Sequence, residues 1–269
     1  QKLVEAAMPS GYESRCAKVI EAIAAPFVDE VYYTATGSLV CHKKGEGKRI
    51  MLAAHMDLIG FMVTYIDEKG YLRFEPIGGH TPAFLHRTPI RFKNGTKGVV
   101  MCEKWAEESK KKLSDVRTAN FYIDIGAKSR EEADAAVTLG DRVSFAQNYA
   151  RFGEGFVRAK ALDNRLGCAF LLELLLSESE YSFTGAFTVQ EENGCIGAKA
   201  AAGSVQPDIG LILETTTASD LPGNDGAKKV SVVGAGPVIS YMDRGTIYPR
   251  RLTRWLEQLA AEAGIPTQK

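Results

Sequence analysis

Arg49-Ile50-Met51-Leu52-Ala53-Ala54-His55-Met56-Asp57 decides how this chain is read. A short apolar run bounded by polar residues reads as a buried strand. Its end delivers an imidazole and, two residues on, a carboxylate. Residues i and i+2 of an extended backbone face the same way, so His55 and Asp57 sit side by side. An imidazole that binds a metal through one nitrogen usually gives its other N–H to an acceptor such as a carboxylate. The pair suits that arrangement, and it also suits an ordinary hydrogen-bonded couple. The surrounding sequence has to decide between the two.

Upstream, Pro9-Ser10-Gly11-Tyr12-Glu13 reads as a turn into a helix, with Ser10 as N-cap and Glu13 at the capping-box spacing. That helix carries Ala17, Ile20, Ala24 and Phe27 on one face. Residues 28–33, 39–44 and 50–54 read as strands. From 59 to 156 the texture changes to short β-like runs at 61–66, 72–74, 90–92, 98–101 and 142–145, separated by turns such as Glu68-Lys69-Gly70 and Asn94-Gly95. Only 129–136 reads there as a helix, capped by Ser129. This stretch is expected to be a β-rich insertion, a small barrel or sandwich.

Beyond 156 the pattern is α/β: an apolar helix at 166–177, a strand at 184–190 and an Ala-rich helix at 196–202. A buried strand at 209–213 and strands at 230–233 and 238–240 follow. An amphipathic helix at 250–264 ends at Gly264. Strands alternating with helices imply a mostly parallel sheet covered on both faces. The expected architecture is therefore a discontinuous α/β domain, residues 1–58 and 157–269, interrupted by the insertion at 59–156.

Composition limits the function. The 269 residues are 45% hydrophobic and 25% charged, and 33 basic residues balance 33 acidic ones. A net charge of zero argues against a general nucleic-acid or anionic-membrane binder. The five cysteines are scattered without a CxxC, which argues against a disulfide framework and a Cys-based zinc site. They fit a reducing cytoplasm. The longest apolar stretch, 166–176, is broken by Glu173 and is too short to span a bilayer.

Three more acidic positions share the setting of His55. Asp163 precedes the apolar helix, where it serves as a ligand or as a helix cap. Glu191 and Glu192 are adjacent at a strand end, a repulsion that a cation or solvent must relieve. The apolar run Leu211-Ile212-Leu213 ends on Glu214, which needs a partner or a metal if buried. Together, His55, Asp163, Glu192 and Glu214 form an N/O ligand set suited to Zn²⁺, Co²⁺ or Mn²⁺. A bridging Asp between ions about 3.5–4 Å apart builds a hydrolytic two-metal site, and a free carboxylate beside it can take a proton.

AAHMDLIGFMV (53–63), ALDNRLGCA (161–169), VQEENGCIGAKAA (189–201), LETTTASDLPG (213–223) and GPVISYMDRG (236–245) occur in this order. In these motifs the chain resembles the M42 family of metallo-aminopeptidases, of the glutamyl and tetrahedral aminopeptidase type. The likeness extends into the insertion at 121–127 and 139–141. It implies a phosphorylase/hydrolase-like metallopeptidase fold, a cytoplasmic location, peptide substrates, and dimers that build a tetrahedral dodecamer through the insertion. It also implies two divalent ions per subunit. His55 would bind one of them and Asp57 would orient it. Asp163 would bridge the two ions and Glu214 would complete the first set. Glu191 would be the general base, and Glu192 a ligand of the second ion.

The family pattern has a further His ligand after the helix that ends near Gly264. The four histidines here are His42, His55, His80 and His86, and none matches that position. The expectation is a fragment of a longer enzyme, or a short form, with an impaired second metal site and low peptidase activity. Two other readings stay open: a non-catalytic assembly subunit of the same fold, and an endoglucanase-type glycoside hydrolase using a carboxylate pair. Residue specificity is not legible.

Overall fold

The structure is a computed structural model that describes residues 1–6, 8–146, 148–218, 220–224, 226 and 231–269. The chain divides into two compact units, Gln1–Glu214 and Thr215–Lys269.

The first unit opens with α1 (Lys2–Glu5) and α2 (Ser14–Ala24). Its central sheet contains β1 (Glu30–Tyr33), β2 (Leu39–Lys43) and β3 (Glu46–His55), which runs into the His55 motif. Next comes a closed six-stranded barrel in the order β4-β5-β8-β7-β6-β9. Its strands are β4 (Gly60–Ile66), β5 (Leu72–Ile77), β6 (Pro89–Phe92), β7 (Lys97–Cys102), β8 (Phe121–Asp124) and β9 (Arg142–Phe145). Two helices punctuate the barrel: α3 (Trp105–Glu108) and α4 (Arg130–Ala136). A two-stranded ribbon, β10 (Ala150–Phe152) with β11 (Phe156–Arg158), leads out of it. The chain then returns through α5 (Leu162–Leu176), β12 (Tyr181–Thr188), α6 (Ile196–Val205) and β13 (Ile209–Ile212).

The central sheet has the order β1-β2-β12-β3-β13. β12 and β13 both run parallel to β3, whereas β1–β2 and β2–β12 are antiparallel. The sheet is therefore mixed, where strand–helix alternation suggests a mostly parallel one. β1 and β2 are joined by a turn in which Thr34 N donates to Ser38 O, and so short a connection permits only antiparallel pairing.

β3 shows why its sequence is a continuous apolar run. Met51 and Ala53 enter a small cluster with Ala186 and Ala201 of α6. Ile50, Leu52 and Ala54 point to the other face, into a core with Ile20, Leu171 and Phe187. Both faces are buried, so the period of 2 is masked. Burying a side chain such as Leu171 or Phe187 contributes about 1.5–3 kcal/mol.

The barrel has its own core, which includes Phe61, Leu72, Ile90, Val100, Ile123 and Val143. The short β-like runs match five of its six strands; the sixth, β8, lies in the family-like stretch at 121–127, and its burial alternates strictly along Phe121–Asp124. α4 forms as its cap demands: Ser129 Oγ accepts from Glu132 N at 3.3 Å.

Three expectations, one near the N-terminus and two in the second unit, need correction. α2 starts at Ser14 behind Glu13, and Ser10 does not cap it. Gly11, at φ +82°, turns the chain first, and the Ser10 hydroxyl goes to Asp57 instead. In the second unit, α7 (Arg250–Glu262) is amphipathic and closes at Gly264, φ +67°. Of the strand expected at 230–233, Val230 lies outside the described residues, and 231–233 form no strand. The run at 238–240 makes only an isolated bridge, Val238 with Gln268. Gly234 and Gly236 take positive φ, and Pro237 has no N–H, so the Val-rich sequence cannot continue as a ladder. The Gln268 side chain instead accepts from Val232 N and donates to Val232 O. No helix among the described residues is long and apolar enough to cross a membrane.

Candidate metal centre

The acidic positions and His55 gather at the carboxyl ends of the three parallel strands. His55 ends β3, Glu191 and Glu192 follow β12, and Glu214 follows β13. That edge is where open α/β sheets present ligand sites. Asp163 comes from the first turn of α5, opposite them.

His55 Nε2 lies 2.9 Å from Asp163 Oδ1, 3.5 Å from Glu214 Oε2 and 3.9 Å from Glu191 Oε2. The ligand atoms of His55, Asp163 and Glu214 all lie within 4.8 Å of one another. The imidazole is buried at 3% exposure, while the Asp163 and Glu214 side chains are open to solvent at 64% and 38%. The result is an acidic rim over a buried nitrogen. Burial alone would depress the basicity of His55. Hydrogen bonding to Asp163 and Asp57, with the charge of Glu214, overrides it and raises the pKa to about 10. The surroundings of the imidazole thus strongly favour a positive charge at this point.

Behind the ring, Asp57 is fully buried, and its Oδ1 lies 3.4 Å from His55 Nδ1. Asp57 also accepts from Ser10 Oγ at 2.5 Å, Glu191 N at 3.0 Å and Glu192 N at 3.1 Å. Burial pushes its carboxyl up, but the His55, Ser10 and Glu191 hydrogen bonds together hold it below the usual range.

Asn164 explains how Asp163 is left available. Its Oδ1 accepts from Gly167 N at 2.9 Å, the bond an N-cap makes, and its Nδ2 donates to Leu213 O at 2.7 Å. Asp163 therefore does not cap α5, and the same side chain ties the start of α5 to the strand that delivers Glu214. Gly167 is required by this approach: a Cβ there would lie 2.3 Å from both Asn164 Oδ1 and Leu213 O.

Glu192 stands outside the three-residue cluster, packed against Gly78 at the end of β5. Its pKa is pushed up to about 7, first by burial and then by the negative charge of Asp163. The other histidines are elsewhere. His42 Nδ1 lies 3.0 Å from Thr184 Oγ1, His80 stacks on Phe61, and His86 stacks on Trp105. Sequence reasoning missed Ser10, Glu13, Asn164 and Gly78 as parts of this region. Only Asn164, beside a candidate ligand and three residues before a glycine, carried a local signal.

The model of the M42 glutamyl aminopeptidase family matches residues 37–269. A putative aminopeptidase of Acetivibrio thermocellus is 41% identical over 243 residues, which cover 90% of this chain and 72% of that protein. Among solved structures, aminopeptidase APDkam598 from Desulfurococcus kamchatkensis superposes with a TM-score of 0.92 at 31% identity, covering 99% of this chain and 77% of that one. The Pyrococcus horikoshii TET1 peptidase, described as assembling into a tetrahedron or a large octahedral shell, superposes at 0.85 and 31% identity, covering 99% of this chain and 81% of that one. The fold, the order of the acidic positions and these likenesses agree: the chain belongs to the M42 glutamyl aminopeptidase family, whose members are peptide hydrolases.

Proposed function

We propose that this chain is a metal-dependent aminopeptidase acting on the N-terminal residues of peptides, with two divalent-ion positions that share Asp163. The observation that carries the reading is the convergence of His55 Nε2, Asp163 and Glu214 within 4.8 Å. One imidazole and carboxylates form a donor set for Zn²⁺, Co²⁺ or Mn²⁺. The high basicity of His55 and the raised pKa of Glu192 both mark a place short of positive charge. His55, Asp163 and Glu214 would hold the first ion, and Asp163 with Glu192 the second. Bound there, such ions polarise a carbonyl and make water more acidic.

The chain's own groups do the rest. Asp57 fixes the His55 ring from behind. Glu191 takes a proton from the attacking water and returns it to the departing amine. No second imidazole lies in the cluster among the described residues, so the second ion is held more weakly and turnover by this 269-residue chain is slow. The family likeness and the assembly described for the TET1 peptidase support a homo-oligomer, with the barrel and its flanks, residues 59–156, as the contact region and 1–58 with 157–269 as the catalytic domain. Scattered cysteines without a CxxC pair support a reducing, cytoplasmic setting.

The test is hydrolysis of an aminoacyl-p-nitroanilide with added Co²⁺. Turnover is expected to vanish with a chelator, and in Glu191→Gln to fall by about 10²-fold or more at unchanged metal content. Chelator-resistant hydrolysis, or full activity in Glu191→Gln, would contradict the reading.

A further inference from the structure

Three consecutive backbone N–H groups, those of Gln190, Glu191 and Glu192, are captured by two buried carboxylates from other parts of the chain. Glu13 Oε1 accepts from Gln190 N at 3.1 Å and also from Gly11 N at 2.8 Å. Asp57 Oδ1 accepts from Glu191 N, and Asp57 Oδ2 from Glu192 N. Ser10 Oγ supplies the remaining strong donor to Asp57 Oδ2, at 2.5 Å. Three donors thus converge on the buried carboxylate, with His55 Nδ1 3.4 Å from Oδ1.

This clamp has a definite task. Gln190 sits at φ +53°, a left-handed conformation that is unfavourable for a non-glycine residue. That twist turns the chain out of β12, so that Glu191 reaches toward His55 while Glu192 turns toward Gly78. Hydrogen bonds to charged acceptors offset the cost. The N-terminal turn is itself held. Ser10 N donates to Leu58 O, Arg142 lies 4.4 Å above the Tyr12 ring, and Lys93 lies 5.1 Å from it. Ser10 and Glu13 are 2% and 5% exposed. A solvated turn would not bury a serine and a glutamate, and helix capping uses neither side chain.

We propose that Ser10 and Glu13 are positioning residues of the hydrolytic site, setting the backbone turn that aims Glu191 and Glu192. Their part in hydrolysis rests on the aminopeptidase reading above; their hold on the turn does not. Glu13 acts as an acceptor, so a neutral amide oxygen at the same place can replace it.

Hydrogen exchange of the full chain tests this without turnover. In Glu13→Leu the Gln190 amide is expected to exchange roughly tenfold faster or more, and in Ser10→Ala those of Glu191 and Glu192 likewise. The β12 amides, an internal control in the same molecule, keep their rates. Glu13→Gln restores protection at Gln190. Unchanged exchange at 190–192, or an equal rise across β12, overturns the proposal, the latter marking a merely structural role. Where aminoacyl-p-nitroanilide turnover is measurable, both disruptive variants lower kcat with KM held. A chain without turnover whose exchange follows the expected pattern counts against the aminopeptidase reading alone.

Discussion

The Asn164 side chain spans two elements, bonding Gly167 N on its own helix and Leu213 O at the end of β13. It is fully buried, so its removal strands a part-buried carbonyl and a buried amide. Asn164→Ala should destabilise the chain by about 1–3 kcal/mol in a urea titration and weaken metal binding, because Asp163 and Glu214 lose their common anchor. Destabilisation with unchanged metal affinity would separate the two roles and contradict the link. Gly78 sets a second test. A Cβ there would meet Ile59 Cγ2 at 2.6 Å and Glu192 Oε2 at 3.0 Å, at a φ of +77°. Gly78→Ala should displace the Glu192 carboxylate and weaken the second ion selectively; equal loss of both ions would contradict its assignment to that position. At this scale the sequence exposed the acidic residues because each lies at the end of a strand-like run or just before an apolar helix. It did not expose Ser10, Glu13 or Gly78, whose contacts lie 47, 177 and 114 positions away along the chain.

At the scale of elements, Lys160 links the barrel exit to α5. Its Nζ donates to Phe145 O at 2.8 Å and Ser144 Oγ at 3.1 Å, and its backbone N to Asn148 Oδ1. Burial, followed by the charges of Arg91 and Arg165, lowers its pKa to about 8. Between about pH 8 and the ordinary lysine value near 10.4, the unfolded chain keeps a proton that the folded chain has released. The contribution of Lys160 to stability therefore rises with pH across that window and is least favourable below it. Urea midpoints of the parent chain and Lys160→Met should diverge from about pH 8 to about pH 10 in favour of the parent. Parallel curves would place Lys160 in a solvated setting. Strand and helix identities were largely legible, since β3 is a bounded apolar run, α4 follows its Ser129 cap and α7 its amphipathic period. The second-unit strands were not, because Gly234, Gly236 and Pro237 defeat the ladder that Val-rich composition suggests.

For the whole molecule, the barrel and the central sheet have separate cores, yet the site draws on both. The His55 motif leads from β3 directly into β4, and Gly78 at the barrel's edge supports Glu192. An ion held by the folded site and not by the unfolded chain stabilises by mass action, about 2.7 kcal/mol at a hundred times its dissociation constant. The order of motifs made the family legible, because the ligands come from separate strand ends that only this topology brings together. Two ions per subunit came only from the family likeness, since coordination is a property of converged side chains that spacing alone does not reveal.

The most direct test of the account is a Co²⁺ titration of the metal-free full chain, followed by visible absorption and calorimetry. One tight ion per chain and a weaker second are expected, with the tight event abolished in His55→Ala and retained in Glu191→Gln. Absence of tight binding, or tight binding that survives His55→Ala, would contradict the metal centre assigned to His55, Asp163 and Glu214.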